Sequence, residues 1–355
     1  MKNSKIDFAG KKVYLGIDVH RKTYALTAVC DAKVVHKVLM SANPQGLLTY
    51  LNSHYQRAEI FTAYEAGFSG FGLHRYLEIN GIKNIVVNPS SIEVAARDKV
   101  KHDGRDSQKI AFHLAQGRLR GIRIPDPVEE DRRQVSRVRE QLIEHRTAVG
   151  NQIKSRLIYF GLLDSDNQSV MSESFLKKVE VMELAEGLKF SLKHLTTLWR
   201  TLNQQVKECD QELKRQGKED ESKTRVYRSV PGIGINSARI LANELGDMSQ
   251  FPNERTLFNF VGLTPSEHSS GEFVHRGHIS RQGSSCIRKV LTEVSWRAIY
   301  KDSALKADFD RISIRVGKKR AIIAVARRLI GRIRASFRKQ EFFKIGYEPE
   351  TQKAA

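Results

Sequence analysis

Apolar and polar positions alternate with a period of two through KKVYLGIDVH, KTYALTAVC and KVVHKVLM, and residues 12–40 therefore read as three strands. The breaks around His20–Arg21 and Asp31–Ala32 are too short for a crossover, so these strands form an antiparallel meander. NPQGLLTYLNSHYQR then places Leu47, Leu48 and Leu51 on one helical face. EIFTAYEA predicts a fourth strand, FGLHRYLEINGI a helix, NIVVNPS a fifth strand and DSQKIAFHLAQGRL a further helix. A meander followed by alternating helix and strand is the order of RNase H-like sheets, so the N-terminal third is expected to be α/β.

After IPDPVEE the period changes. Val135, Val138, Leu142, His145, Val149, Gln152 and Arg156 recur at three/four spacing, as do Leu188, Leu192, Leu195, Trp199, Leu202, Val206, Cys209 and Leu213. Two long helices joined near FGLLDSDNQSVMSES follow from this, forming a coiled-coil arm that pairs within one chain, between chains, or both. From residue 226 the chain is expected to be all-α. Pro231-Gly232-Ile233-Gly234 before an Ala/Ile/Leu helix resembles a helix-hairpin-helix, in which glycines admit a phosphate to helix N–H groups; a plain glycine turn is the alternative. SSCIRKVLTEVSWRAIY and KKRAIIAVARRLIGRIRASFRK are two more helices. In the second, Ile322, Val325, Ala326, Leu329, Ile333 and Phe337 point inward, with Arg320, Arg327, Arg328, Arg332, Arg334 and Arg338 elsewhere.

Charge changes the picture. The 355 residues hold 60 Lys/Arg against 40 Asp/Glu, a formal +20, which points to a polyanionic partner, nucleic acid being the commonest. The excess is concentrated: residues 270–340 contain 18 Lys/Arg and 5 Asp/Glu, residues 1–110 contain 16 and 10. Cys30, Cys209 and Cys286 have no paired spacing for zinc or a disulfide framework. No apolar run approaches the roughly 20 residues of a membrane span, and MKNSKIDFAGKK lacks an apolar signal segment; a cytoplasmic protein is expected, nucleoid-associated if the partner is DNA.

Four acidic residues stand out against this background. Asp18 lies inside the first strand, Glu65 ends the fourth, and Asp103 and Asp106 share a face near the start of the helix that follows the fifth. A charge in a strand-like apolar run is costly unless paired or metal-bound. Four carboxylates at one end of a sheet repel one another unless divalent cations neutralise them. A two-metal phosphoryl-transfer site is the reading that uses all four. Capping of the helix start explains Asp103 or Asp106 singly.

With GIDVHRKT, YEAGFSGFGLHRYL, VVNPS and KHDGRDSQKIAFHL in the first third, and SVPGIGINSARILANELGDMSQF, FNFVGLTPSEHSSG and GHISRQGSSCIRKVL in the last, the chain resembles DEDD-type transposases of the insertion sequence 110 family, which includes Piv-like DNA invertases. The resemblance implies a RuvC-like domain whose tetrad Asp18, Glu65, Asp103 and Asp106 binds Mg2+ or Mn2+ as two ions. It implies an essential serine five positions after the Pro of GLxP and before a glycine: from Pro265 this is Ser270, with Ser269 one residue away as the rival. Arg281 stands where the family commonly has Lys. Also implied are donor and target DNA, a structured noncoding guide RNA pairing with both, and a homo-oligomer, a dimer or a tetramer at synapsis.

The expected layout is a RuvC-like domain over 1–127, a coiled-coil arm over 128–222, a helical transposase domain over 223–345 and a tail over 346–355. Gly232, Gly234, Arg281, Arg288, Arg327, Arg328 and Arg334 are the expected nucleic-acid contacts. The expected activity is DNA recombination by transesterification through a phosphoserine. Its rivals are a structure-selective RuvC-like nuclease, an invertase, and a non-enzymatic nucleic-acid scaffold.

Overall fold

The computed structural model describes residues 7–89, 92, 103–164, 170–270 and 273–346. The chain divides into two units, Met1–Ile124 and Pro125–Ala355.

In the first unit, β1 (Lys12–Val19), β2 (Thr23–Cys30), β3 (Lys33–Ser41), β4 (Glu59–Glu65) and β5 (Lys83–Val87) form one sheet in the order β3-β2-β1-β4-β5. The first three pair antiparallel, and β4 and β5 extend the sheet in parallel from β1. This is the order expected of an RNase H-like sheet. Asp31 and Ala32, both at positive φ, make the two-residue turn from β2 to β3, a conformation whose twist suits a tight hairpin. The alternating Val13, Leu15 and Ile17 of β1 pack with Tyr64 under α1 (Pro44–His54) and α2 (Gly72–Ile79), which contribute Leu47, Leu51, Leu73 and Leu77. Asn43 starts α1 by accepting from the Gln45 N–H, with Pro44 at the first helical position. The opposite sheet face, with Ala63 and Val87, is covered by α3 (Asp103–Ala115) through Ile110. With helices on both faces, β2 is buried at seven of its eight positions, and the buried hydroxyl of Thr27 is paired with Ser107 Oγ at 2.9 Å.

The second unit begins with α4 (Pro127–Tyr159), opened by a reciprocal cap in which Asp126 and Glu129 each satisfy the other's backbone N–H. α5 (Glu173–Glu180) and α6 (Glu186–Glu219) follow. α4 and α6 pack on each other within the chain through Val149, Ile153, Leu157, Leu188, Leu192, Trp199 and Leu202. The α6 stripe is the one read from the sequence; the α4 stripe is only in part, with Leu142 and Val149 on the seam as expected. Val138, His145, Gln152 and Arg156 are exposed, and from Leu142 and Val149 the seam continues through Ile153 and Leu157. Leu142, Val149 and Ile153 recur at seven and four residues, and Leu157 lies four beyond Ile153, so the seam drifts off a strict heptad and leaves the polar Gln152 and Arg156 in solvent. α5 was not anticipated.

Beyond α6 come α7 (Glu221–Arg228), α8 (Ile235–Leu245), α9 (Glu254–Val261), β6 (Pro265–Ser270), β7 (Phe273–Ile279), α10 (Ser285–Ala298), α11 (Ser303–Val316) and α12 (Lys318–Lys339). The all-α expectation needs correction here, because β6 and β7 form a two-stranded antiparallel sheet. A fully buried Arg239 on α8 is held by Asn243 at 2.7 Å and Asp220 at 3.2 Å. Asn243 in turn donates to Ser136 and to the Arg132 carbonyl of α4. Such a charge is tolerable inside because it is paired with the Asp220 carboxylate and hydrogen-bonded through Nε and Nη1.

α12 differs most from its sequence reading. Arg332 and Arg334 are buried, not on the outer face. Arg334 donates Nε to the Phe251 carbonyl at 2.9 Å and Nη2 to that of Pro252, and Arg332 pairs with the buried Asp302 at 3.0 Å. α7, α9, α10 and α11 all pack on α12, so more than one stripe of it is interior, and arginine stems follow apolar surface to reach carbonyls and a carboxylate.

Candidate functional site

β1 and β4 run parallel with Ile17 beside Tyr64. One step further along that register sets Asp18 beside Glu65, the last residue of β4. The period-two pleat gives Gly16 and Asp18 one face of β1, and Ala63 and Glu65 the same face of β4. This is the face α3 covers. A Cβ on Gly16 would lie 2.0 Å from the Ser107 carbonyl oxygen and 2.5 Å from the Ala111 nitrogen; only a glycine lets the helix backbone settle there. Asp106 sits immediately before Ser107, partly exposed, with Lys109 Nζ 4.0 Å away. Asp103 is the first residue of α3, and its side chain lies outside the described residues.

Two carboxylates are thus neighbours at the ends of adjacent strands, and the turn bearing the other two precedes the helix residues seated on Gly16. Sequence reasoning passed over His20, whose Nε2 is 3.1 Å from Asp18 Oδ2; its place two residues after Asp18 in IDVH was the signal. It passed over Gly16 too, although a glycine inside an apolar strand marks close backbone approach. Among the described residues, no three His, Cys, Asp or Glu side chains group closely enough to hold a metal, so Asp18, Glu65 and Asp106 do not by themselves form a three-ligand cluster. The donor set itself, all carboxylate oxygen, suits a hard divalent cation.

Gly16→Ala is expected to destabilise the first unit by about 3 kcal/mol, the upper range for overpacking, because backbone opposes the new methyl on two sides. Gly72→Ala, where a Cβ meets nothing within 4 Å, serves as the control and should be neutral or slightly stabilising. Urea unfolding of the two variants checks this.

Ser269 and Ser270 end β6, where they pair with Val274 and Phe273 of β7; their side chains lie outside the described residues. The base of this hairpin is tightly built. Gly262 and Gly283, at φ 74° and 86°, back onto other segments so closely that a Cβ would fall 1.9 Å from the Gln282 oxygen or 2.0 Å from the Phe260 oxygen. Arg288 Nη1 donates to the carbonyls of Val261, Gln282 and Gly283 at 3.1–3.2 Å. The Ser280 N–H bonds the Thr264 carbonyl at 2.7 Å. Arg288, expected on nucleic acid, therefore braces the two ends of the serine-bearing hairpin. Arg281 follows β7 at φ 55° and is exposed.

The other expected contacts divide similarly. Gly232, at φ 90°, packs on α10 with its Cβ position 2.8 Å from Arg297 Cβ, while Gly234 is exposed at the start of α8. Arg327 lies over the Phe258 ring at 4.5 Å, and Arg328 pairs with Asp308. Arg334, buried on backbone carbonyls, holds α12 to the segment before α9.

Comparison with known proteins identifies the class. A DEDD transposase family of IS110 type matches residues 15–160, and the transposase IS116/IS110/IS902 family matches residues 224–310. The transposase for insertion sequence element IS1111A of Coxiella burnetii is 27% identical over 273 residues, covering 75% of this chain and 74% of that protein. The transposase for insertion sequence element IS1533 of Leptospira borgpetersenii is 26% identical over 345 residues, 92% and 96% of the two chains. That of element IS1328 of Yersinia enterocolitica is 30% identical over 170 residues, 47% and 50%. The protein is an insertion-sequence transposase. It belongs to the IS110 family, with the DEDD domain in its first half and the second transposase domain carrying the serine hairpin.

Proposed function

We propose that the chain catalyses recombination of its insertion sequence by metal-dependent transesterification, with Asp18, Glu65, Asp103 and Asp106 as the metal-holding carboxylates and Ser270 as the nucleophile. The observation that carries this reading is the Asp18–Glu65 adjacency on the face onto which α3 is locked through Gly16. These residues would hold Mg2+ or Mn2+, which when bound polarises a phosphate and stabilises a leaving oxygen. His20 orients the Asp18 carboxylate through its hydrogen bond. The Ser270 hydroxyl loses its proton and forms the Oγ–P bond as the strand P–O bond breaks; the departing strand oxygen takes up a proton. Bond energy is kept in the phosphodiester, so a second strand hydroxyl can reverse the step without hydrolysis. The strained, braced base of the β6–β7 hairpin supports this role, since a nucleophile is best presented from a rigid element.

A structured noncoding guide RNA, read by shape and backbone while pairing selects donor and target DNA, fits the basic excess of the last third. Homo-oligomerisation, as a dimer or a tetramer at synapsis, is supported by the apolar Tyr159, Val181 and Phe190 left exposed near the α4–α6 pair. The test is an excision assay in cells carrying the insertion sequence with its flanks, with copurifying RNA sequenced in parallel. Rejoined junctions and a flank-derived RNA are expected. Broken ends without junctions would establish a hydrolytic nuclease instead.

A further inference from the structure

An open groove runs along the outer side of α3 and the turn after it, lined by Arg105, Lys109, Phe112, His113 and Arg118 among others. Among the described residues no acidic side chain lines it, and residues 107–125 contain no Asp or Glu at all. Lys37 adds a further cation at its edge through a 2.7 Å bond to Gln108. The inner side of the same helix is accounted for by Ser107, Ile110 and Ala111 against the sheet, so the basic side is the one turned away from it. The lining also has a direction. Asp106, Lys109 and His113 fall at i, i+3 and i+7, one stripe of the helix, so the positive groove begins at a carboxylate of the proposed centre and leads away from it. Arg105, Lys109 and His113 are each four residues apart, about 6 Å of rise per step, and Phe112 gives one aromatic face between them. A positive track interrupted by an aromatic ring is the composition of surfaces that follow a single nucleic-acid strand.

From this we infer that the α3 groove holds the phosphate backbone of the DNA strand presented to Asp18 and Glu65. The inference rests on those carboxylates being the reaction centre. Lys109, Arg118 and His113 contact successive phosphates, and Phe112 stacks on a base or sugar.

The experiment uses the full chain in EDTA, so that it reads binding and not chemistry. A photocrosslinking amino acid is placed at the exposed Gln116 and exposed to labelled single-stranded DNA, with unlabelled DNA or RNA of the same sequence as competitors. In parallel, Lys109→Gln and Arg118→Gln are combined and the salt dependence of DNA binding is measured. The expected result is a DNA crosslink competed better by DNA than by RNA, and a log–log salt slope reduced by about 0.7 for each lost contact. No crosslink, an unchanged slope, or better competition by RNA would overturn the assignment, the last giving the groove to RNA. The same crosslink in an Asp18→Asn protein that still recombines DNA would keep the groove and refute the reaction centre, so the two failures are distinguishable.

Discussion

Asp18→Asn is expected to abolish recombinant junctions, lowering their rate by about 10³-fold or more, the equivalent of about 4 kcal/mol of lost transition-state stabilisation. Glu65→Gln should do the same. The two residues directly follow the paired Ile17 and Tyr64 of β1 and β4, and each substitution keeps the shape and removes one anionic group. The charge change should lower affinity for Mg2+ in a calorimetric titration while leaving nucleic-acid binding in EDTA intact. Fold should survive, because neither side chain belongs to the apolar cluster under α1 and α2. Asp103→Asn and Asp106→Asn test the other half of the ligand set. Near-wild-type recombination by any two of the four variants is incompatible with a shared metal site.

Ser270→Ala should be as damaging by a different route. Mg2+ binding at the carboxylates is expected to stay unchanged, since the substitution lies in the other unit, yet recombinant junctions should vanish. Adjacent residues of a strand project to opposite faces, and a single phosphate selects one of them. Ser269→Ala is therefore expected to retain most activity. The comparison is informative because both serines sit at the end of one braced hairpin and neither substitution disturbs Gly262, Gly283 or Arg288 at its base. If Ser270→Ala still yields junctions and Ser269→Ala does not, the nucleophile is the neighbour.

Much of the first unit was legible in the chain because its strands alternate cleanly. The meander, the fourth and fifth strands and the positions of Asp18 and Glu65 along them all follow from period-two burial with strong turn signals. The seat of α3 was not read, for it depends on a missing side chain at Gly16 meeting backbone more than 90 residues away. The β6–β7 hairpin escaped because PSEHSS and FVHRGHI are largely polar, and a two-stranded ribbon need not bury a face. On α4, polar residues in the late seam hid the true stripe through Ile153 and Leu157. Arginine was misread for a more general reason: composition reports charge and not reach. Arg288, Arg332 and Arg334 spend their donors on carbonyls and a carboxylate inside the fold, so a smaller part of the C-terminal excess than the sequence suggested faces a polyanion.

A phosphoserine link between protein and DNA is the most direct thing to look for. The wild-type protein, incubated with Mg2+, copurified RNA and end-labelled DNA spanning an element end, is run on a denaturing gel, and the shifted band is digested and mapped by mass spectrometry. A covalent DNA adduct on Ser270 is expected, absent from Asp18→Asn and from Ser270→Ala. Junction formation with no adduct on any serine of the β6–β7 hairpin would contradict the serine mechanism.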